Sequence, residues 1–373
     1  MKRGDQRLRV AVVDDSTFIR KAITRMLEDD GQIRVVGSAA SGEELLTHLD
    51  EWRPDAVTLD LDMPGMGGLA TLDRVMAVRP TPVIILSTHS GKGAPLTIEA
   101  LHRGAVDFID KQRYSLVDFG ALRHVLLEKL FQVTGFSPPE VEPERRGATR
   151  AARQASATPP PAAPPAAQDF DVIVLGASTG GPPALQTLLE QMPADTSTPI
   201  VIVQHMPKGF TQAFAERLNA YLPLQVREAQ HAEYLQPATV YIAIAGEHLR
   251  LRTHDDRLFT EVSPFPKNLV HAPSIDVLFE SAARAAGKRV IACLLTGMGS
   301  DGAKGMAALK AVGAHTLCQD EKSSVVFGMP RSALALDAVN EVLDPEAMGA
   351  RLRQLARGAA IPAGRPSSRI ADF

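Results

Sequence analysis

The sequence predicts an α/β protein built from two doubly wound parallel-sheet domains joined by a linker. Three observations predict this. The chain has 373 residues, 45% of them apolar, which exceeds the size at which single cores usually stop growing. Two separate series of short β-rich runs alternate with segments of helical periodicity. A Pro/Ala-rich stretch that cannot build a core lies between them.

The first series spans 8–133, with the runs LRVAVV, IRVVGSA, DAVTLD, PVIILS and AVDFID. Between the first two, Phe18, Ile19, Ala22, Ile23, Met26 and Leu27 recur at helical spacing, with Ser16 placed as N-cap, so this helix is expected to bury that stripe against the sheet. Residues 134–168 break the pattern, charged at first and then ASATPPPAAPPAAQ, and read as a semi-rigid exposed linker. The second series occupies 169–356, with the runs DVIVL, PIVIVQ, TVYIAI and RVIACLL, and the polar segment after Arg357 reads as a frayed tail. The series share no repeated motif and read as different domains.

Composition narrows the function classes. Forty basic against 43 acidic side chains give a net charge of -3, which argues against a field built for nucleic acid or an anionic membrane. The N-terminal MKRGDQRLRV enters a short apolar run without a long signal-type region, and no stretch approaches a membrane span, so a cytoplasmic protein without direct membrane insertion is expected. The two cysteines, Cys293 and Cys318, suggest neither a disulfide framework nor a zinc site and read as reduced core residues.

In a parallel α/β sheet, function collects at the carboxyl ends of the strands. In the first series that rule selects Asp14 and Asp15, Asp60, Ser87 and Lys111. Three carboxylates at one edge repel unless a cation sits among them, and oxygen-only ligation suits Mg²⁺. Lys111 and Ser87 fit a different task, holding the oxygens of a phosphoryl group carried by one carboxylate. Taken alone, the Asp-Asp pair reads equally well as loop and cap residues; the five-strand register favours the acidic pocket. VVDDS, TLDLDMPGMGG, PVIILS and GAVDFIDK together resemble the receiver domain of two-component response regulators. The resemblance implies a flavodoxin-like fold, phosphorylation at Asp60, Mg²⁺ held by Asp14, Asp15, Asp60 and the backbone of Asp62, phosphate reading by Ser87 and Lys111, and a switch aromatic at Phe108. Gln112 stands where receivers usually carry proline after the lysine, which puts the signalling loop in question without removing a chemical group.

In the second series the same rule returns Ser178 in GASTGGPPAL, His205 after PIVIVQ, and Asp301 in TGMGSDGA. A serine hydroxyl needs a base, and a histidine base needs a carboxylate to hold its tautomer. Glycines 176, 180 and 181 permit a sharp turn with exposed N–H groups, as an oxyanion hole requires. GASTGG alone is also compatible with the phosphate-binding turn of a dinucleotide fold; its spacing is not GxGxxG, and His205 stands where a ribose-binding acid would end the next strand. Of the ten histidines, His271 is the one competitor for the base, and it is expected as a loop residue at the pocket rim, followed by Ser274 as an N-cap and Asp276 in the first turn of a helix.

GASTGGPPAL, QHMPKGFTQAFAERLN, HAPSIDVLF and LLTGMGSDGAKGM are similar to the catalytic domain of chemotaxis methylesterases, a Rossmann-like fold. The resemblance implies Ser178 as nucleophile, His205 as general base, Asp301 as its orienting partner, and Thr179 with the backbone N–H of Met298 as oxyanion donors. It implies hydrolysis of glutamate γ-methyl esters and deamidation of glutamines on methyl-accepting chemotaxis receptors, no cofactor for the esterase reaction, a histidine kinase as phosphodonor, and an unphosphorylated receiver that covers the enzyme. Two other readings stay open at this point: the same hydrolase acting on a non-chemotaxis substrate, and a non-catalytic signalling module.

Overall fold

A computed structural model of the chain describes residues 7–29, 31–87, 93–111, 119–136, 170–264 and 271–356. Most of the expected linker, from residue 137 onward, lies outside the described residues, as do His89, Gln112 and the segment after residue 356.

The first unit alternates β1 (Leu8–Val13), α1 (Thr17–Glu28), β2 (Ile33–Ala39), α2 (Gly42–Trp52), β3 (Ala56–Asp60), α3 (Gly67–Val78), β4 (Val83–Ser87), α4 (Gly93–His102), β5 (Asp107–Asp110) and α5 (Phe119–Thr134). Its strands form one parallel sheet in the order β2-β1-β3-β4-β5. Helices cover both faces, which is why the strands read as near-continuous apolar runs. Alternate residues serve the two layers: Val13, Leu59 and Ile85 pack with Leu45, Leu72 and Ile98, while Val12, Ile84 and Ile109 pack with Ile23, Leu27 and Leu126. The Ser16 hydroxyl accepts the Ile19 N–H at 3.4 Å and so starts α1. Phe18 departs from the expected stripe, being 58% exposed. It lies in the first turn, at the carboxyl edge of the sheet, and the stripe that meets the strands is Ile23, Met26 and Leu27.

The second unit runs through β6 (Val172–Ala177), α6 (Gly181–Leu189), β7 (Ile200–Gln204), α7 (Thr211–Tyr221), β8 (Gln225–Glu228), β9 (Glu233–Tyr234), β10 (Thr239–Ile242), β11 (Glu247–His254) and β12 (Arg257–Pro264). It continues with α8 (Ile275–Ala286), β13 (Val290–Leu294), α9 (Ala303–Ala311), β14 (His315–Gln319), α10 (Met329–Ala335), β15 (Glu341–Leu343) and α11 (Pro345–Ala356). Seven strands form a parallel sheet in the order β15-β14-β13-β6-β7-β10-β8. The chain leaves β6 toward β7 and later returns to its other side as β13, so the order reverses at β6. That reversal opens a crevice at the carboxyl ends of the central strands.

The sequence reading assigned four strands here and no antiparallel pairing. The structure adds β8, β14, β15 and a small antiparallel sheet in the order β11-β12-β9. Leu249, Leu251 and Leu258 of its hairpin join the apolar layer that holds Phe279 and Ala282 of α8, so the hairpin seals the outer side of that helix. Asp255 and Asp256, both at positive φ (47° and 59°), make the two-residue turn.

The two units share one continuous apolar cluster. Phe108 of β5 packs on Phe210 with ring centroids 4.5 Å apart, and Glu99 of α4 forms an ion pair with Arg217 of α7.

Candidate active site

The first site forms where the order of the five-stranded sheet reverses, between β1 and β3. Carboxylate oxygens of Asp14, Asp15 and Asp60 lie within 4.8 Å of one another. Asp14 and Asp60 are buried. Lys111 Nζ reaches Asp60 at 2.7 Å and Asp14 at 2.9 Å. Burial holds the Asp60 carboxyl above the ordinary aspartate range, with Lys111 opposing and Asp14 adding to the effect. For Lys111, burial works against the charge, but the two carboxylates outweigh it and its pKa is raised. Asp62 is exposed; its backbone N–H donates to Asp60 Oδ1 at 3.3 Å, and its carboxylate is not among the clustered ligand groups. An all-oxygen donor set with more negative than positive charge suits Mg²⁺. Ser87 sits at the end of β4, where its hydroxyl takes a hydrogen bond from Thr97 of α4. Phe108 is buried against the second unit.

The second site draws on three adjacent central strands, β13, β6 and β7. Ser178 follows β6, and its N–H donates to the Thr296 carbonyl at 3.0 Å. Thr296 Oγ1 in turn donates to the Thr179 carbonyl at 2.9 Å, so one buried hydroxyl fastens the Ser178 turn to the β13 loop. Gly180 has φ of 76°, and a Cβ there would lie 2.6 Å from the Val325 Cβ, so the turn requires glycine on both counts. A Cβ at Gly297 would lie 2.7 Å from the Ser178 Cβ, which is how closely the two loops approach.

His205 follows β7, its N–H bonded to the Ala177 carbonyl at 3.0 Å. Its Nε2 lies 2.8 Å from Asp301 Oδ2. Asp301 also accepts from Ser274 Oγ (3.0 Å) and from the backbone N–H groups of Ile275 (2.8 Å), Asp276 (3.0 Å) and Gly302 (3.1 Å). Two of those N–H groups open α8, whose dipole favours an anion there. Burial works against the Asp301 charge, yet His205 and these donors hold its carboxyl well below the usual range. An ionised Asp301 keeps the proton on His205 Nε2 and leaves Nδ1 as the ring's acceptor. Among the described residues the Ser178 hydroxyl makes no hydrogen bond, so Ser178 and His205 are neighbours in one pocket without being closed on each other.

That pocket is a cleft of about 650 Å³ between the units. Ser178, Thr179, His205, His271 and Met298 line one side, and Phe108, Val125, Glu128 and Lys129 of the first unit line the other. No group among the described residues accepts from the Met298 N–H. Thr179 is differently placed: its hydroxyl donates to Asp107 Oδ2 of β5 at 2.6 Å, and Asp107 is paired with Lys129. The next residue, Gly180, donates its N–H to the Val106 carbonyl at 3.2 Å.

Sequence reasoning did not single out Thr296, Asp107 or Lys129. The Thr296 signal was its place between β13 and Asp301; Asp107 and Lys129 are legible only in three dimensions, as the contact spans 72 positions. His271 is at the cleft rim, as expected, but it also stacks on His205, with centroids 4.5 Å apart. Ser274 caps α8 and bonds Asp301 as well.

A family model described as CheB methylesterase matches residues 173–352, and one described as response regulator receiver domain matches residues 10–117. The protein-glutamate methylesterase/protein-glutamine glutaminase 1 of Oleidesulfovibrio alaskensis is 41% identical over 358 residues, covering 91% of this chain and 97% of that protein. The protein-glutamate methylesterase/protein-glutamine glutaminase of Halalkalibacterium halodurans is 40% identical over 339 residues, covering 91% and 95%. With the catalytic match preceded by a receiver match along almost the whole length of such relatives, the chain belongs to the CheB methylesterase family.

Proposed function

We propose that the chain is a phosphorylation-activated protein-glutamate methylesterase of the cytoplasm that hydrolyses glutamate γ-methyl esters on chemoreceptors, deamidates receptor glutamines, and serves chemotaxis adaptation. In this reading residues 8–133 form the receiver, 134–168 the linker and 169–356 the catalytic domain. The observation that carries it is His205, held by Asp301 at 2.8 Å, sharing one cleft with Ser178 at the ends of adjacent strands.

Ser178 Oγ attacks the γ-carbonyl carbon while His205 Nδ1 takes its proton, and Asp301 stabilises the imidazolium. The tetrahedral oxyanion is met by the Met298 N–H and by Thr179. Each such donor contributes on the order of 10²–10³ in kcat. Collapse expels methoxide, which takes the proton from His205 and leaves as methanol. Water, deprotonated by the same ring, then attacks the acyl-enzyme and frees glutamate and Ser178. A glutamine follows the same route with ammonia as the leaving group.

Control begins at Asp60. A histidine kinase supplies the phosphoryl group. Asp14, Asp15 and Asp60, with the Asp62 backbone, would hold Mg²⁺, whose charge offsets that of the incoming phosphoryl oxygens. Lys111 and Ser87 then bond the phosphoryl oxygens. Turning Ser87 removes one of two partners of the Thr97 hydroxyl on α4, and Lys111 lies one residue beyond β5, which carries Asp107 and Phe108. Both elements pack on the catalytic unit, so the change at Asp60 loosens the hold on Thr179 and withdraws a wall of the cleft. A receptor helix about 10–12 Å across needs that withdrawal.

The test is methanol release from methyl-labelled receptor membranes, with and without acetyl phosphate and Mg²⁺, with Ser178→Ala as the blank. Stimulated release absent from the blank supports the reading. Release by the Ser178→Ala protein overturns the nucleophile, and a protein that takes up phosphate without releasing methanol overturns the substrate.

A further inference from the structure

The His205–Asp301 hydrogen bond fixes one edge of the base but leaves the plane of its ring to be set by something else. That plane decides whether Nδ1 points at Ser178. One face of the ring is covered by His271, with centroids 4.5 Å apart and planes 19° from parallel. Neither ring nitrogen of His271 has a hydrogen-bond partner among the described residues, so the stacking face is the interaction its side chain makes there.

The backbone that follows His271 is anchored at two points. The Ala272 carbonyl accepts the Gly246 N–H at 2.9 Å. The Ser274 N–H donates to His248 Nδ1 at 3.3 Å, in a fully buried setting. Three residues beyond His271 the same segment delivers the Ser274 hydroxyl and the Ile275 and Asp276 N–H groups onto Asp301. One stretch of six residues, 271–276, thus touches the face of the histidine and cradles the carboxylate that orients its edge.

We propose that His271 is a positioning residue for ester hydrolysis: its ring, stacked flat on His205, sets the plane in which the general base meets Ser178. The proposal rests on the reading of His205 as that base.

The charge state of His271 matters to the role. A neutral imidazole offers a π face to the imidazolium that forms on His205, whereas a protonated one repels it. Desolvation where His271 packs in the cleft and the neighbouring His205 lower the His271 pKa, with Asp301 opposing, which favours the neutral ring although the residue keeps an exposed edge. The other charged groups around the cleft are Asp107 and Asp110 on β5, and Glu128 and Lys129 on α5.

The experiment uses the full chain activated with acetyl phosphate and Mg²⁺. It follows kcat and KM of methanol release, and the labelling rate of Ser178 by a fluorophosphonate. His271→Ala is expected to lower kcat and labelling about 10- to 100-fold, the scale of a misplaced reacting group, with KM little changed. His271→Phe keeps the stack, so it restores kcat to within about threefold of the parent. Parental kcat and labelling in His271→Ala, in a protein that still takes up phosphate at Asp60, overturn the proposal. So does a His271→Phe protein as impaired as His271→Ala. His205→Gln separates the underlying reading: if it keeps parental labelling, His205 is not the base and the role of His271 falls with it.

Discussion

The hold of β5 on the Ser178 turn can be broken at one atom group. Asp107→Ala removes the carboxylate that accepts the Thr179 hydroxyl at 2.6 Å. The same change strips the partner from Lys129, whose side chain is 20% exposed in the closed cleft. A hydrogen bond to a charged group contributes about 1.5–3 kcal/mol. An uncompensated ammonium at the cleft wall weighs further against the closed arrangement. If turnover requires the receiver to withdraw, the open population rises by the same free energy, which is about 10- to 150-fold at 1.4 kcal/mol per decade. The ceiling is the rate of the phosphorylated enzyme.

The assay is the initial rate of methanol release from methylated receptor membranes without phosphodonor, then with acetyl phosphate and Mg²⁺. Asp107→Ala should raise the first rate by at least about tenfold and leave the second near that of the parent, so that stimulation shrinks from the basal side. Asp107→Asn keeps a neutral acceptor for Thr179 and should fall between the two. A basal rate for Asp107→Ala equal to that of the parent refutes the reasoning, because the hydroxyl would then be free in both proteins and its capture without consequence.

Other outcomes follow from the same geometry. Asp60→Asn should take up no label from acetyl phosphate and hold methanol release at the basal rate, read by labelling and release on one sample. Thr296→Val removes the hydroxyl that bonds the Thr179 carbonyl and accepts the Val326 N–H; leaving those buried groups unmatched should cost about 1–3 kcal/mol each in stability and lower kcat, measured by urea midpoint and turnover. Asp301 has a folded-state pKa below its unfolded value, so its stabilisation is full above about pH 4 and is lost as pH falls through the folded value. The urea midpoint of Asp301→Asn should therefore trail that of the parent at neutral pH, with the gap narrowing in acid; a gap independent of pH counts against an ionised Asp301.

Much of the architecture was legible because parallel sheets covered on both faces write apolar runs into the chain. LRVAVV and IRVVGSA coincide with β1 and β2 residue for residue. The ends of such runs point to Asp14, Asp60, Ser178 and His205 without any knowledge of the packing. The hairpin of β11 and β12 also left a trace, alternating apolar and polar residues around Asp255-Asp256, and the helical and parallel expectations hid it. β9 has two residues and β15 three, too short for a period to show. Phe18 was misplaced because periodicity gives a face but not where along the helix the sheet ends. The hold of Asp107 on Thr179 and the stack of His271 on His205 left no local mark, since each joins residues from separate elements.

The contact between the units also answers a problem of the receiver fold itself. β5 is an edge strand, and an edge leaves backbone groups without partners. Here the Val106 carbonyl at that edge accepts the Gly180 N–H, and Asp107 accepts the Thr179 hydroxyl. The Ser178 turn thus satisfies the receiver edge while the receiver edge occupies the Ser178 turn. Opening exposes both together, along with the Phe108–Phe210 pair and the Glu99–Arg217 ion pair. A closed state built this way has a defined cost of opening, and on the proposed reading phosphorylation supplies it by making contacts at Asp60 that favour the withdrawn arrangement. Changes at the interface and changes at Asp60 should therefore be interchangeable in effect: a variant that weakens the edge contact enough needs no phosphate, and Asp60→Asn placed on Asp107→Ala should leave its raised basal rate intact. If the double variant instead returned to the parental basal rate, the edge contact would not be the element that phosphorylation acts upon.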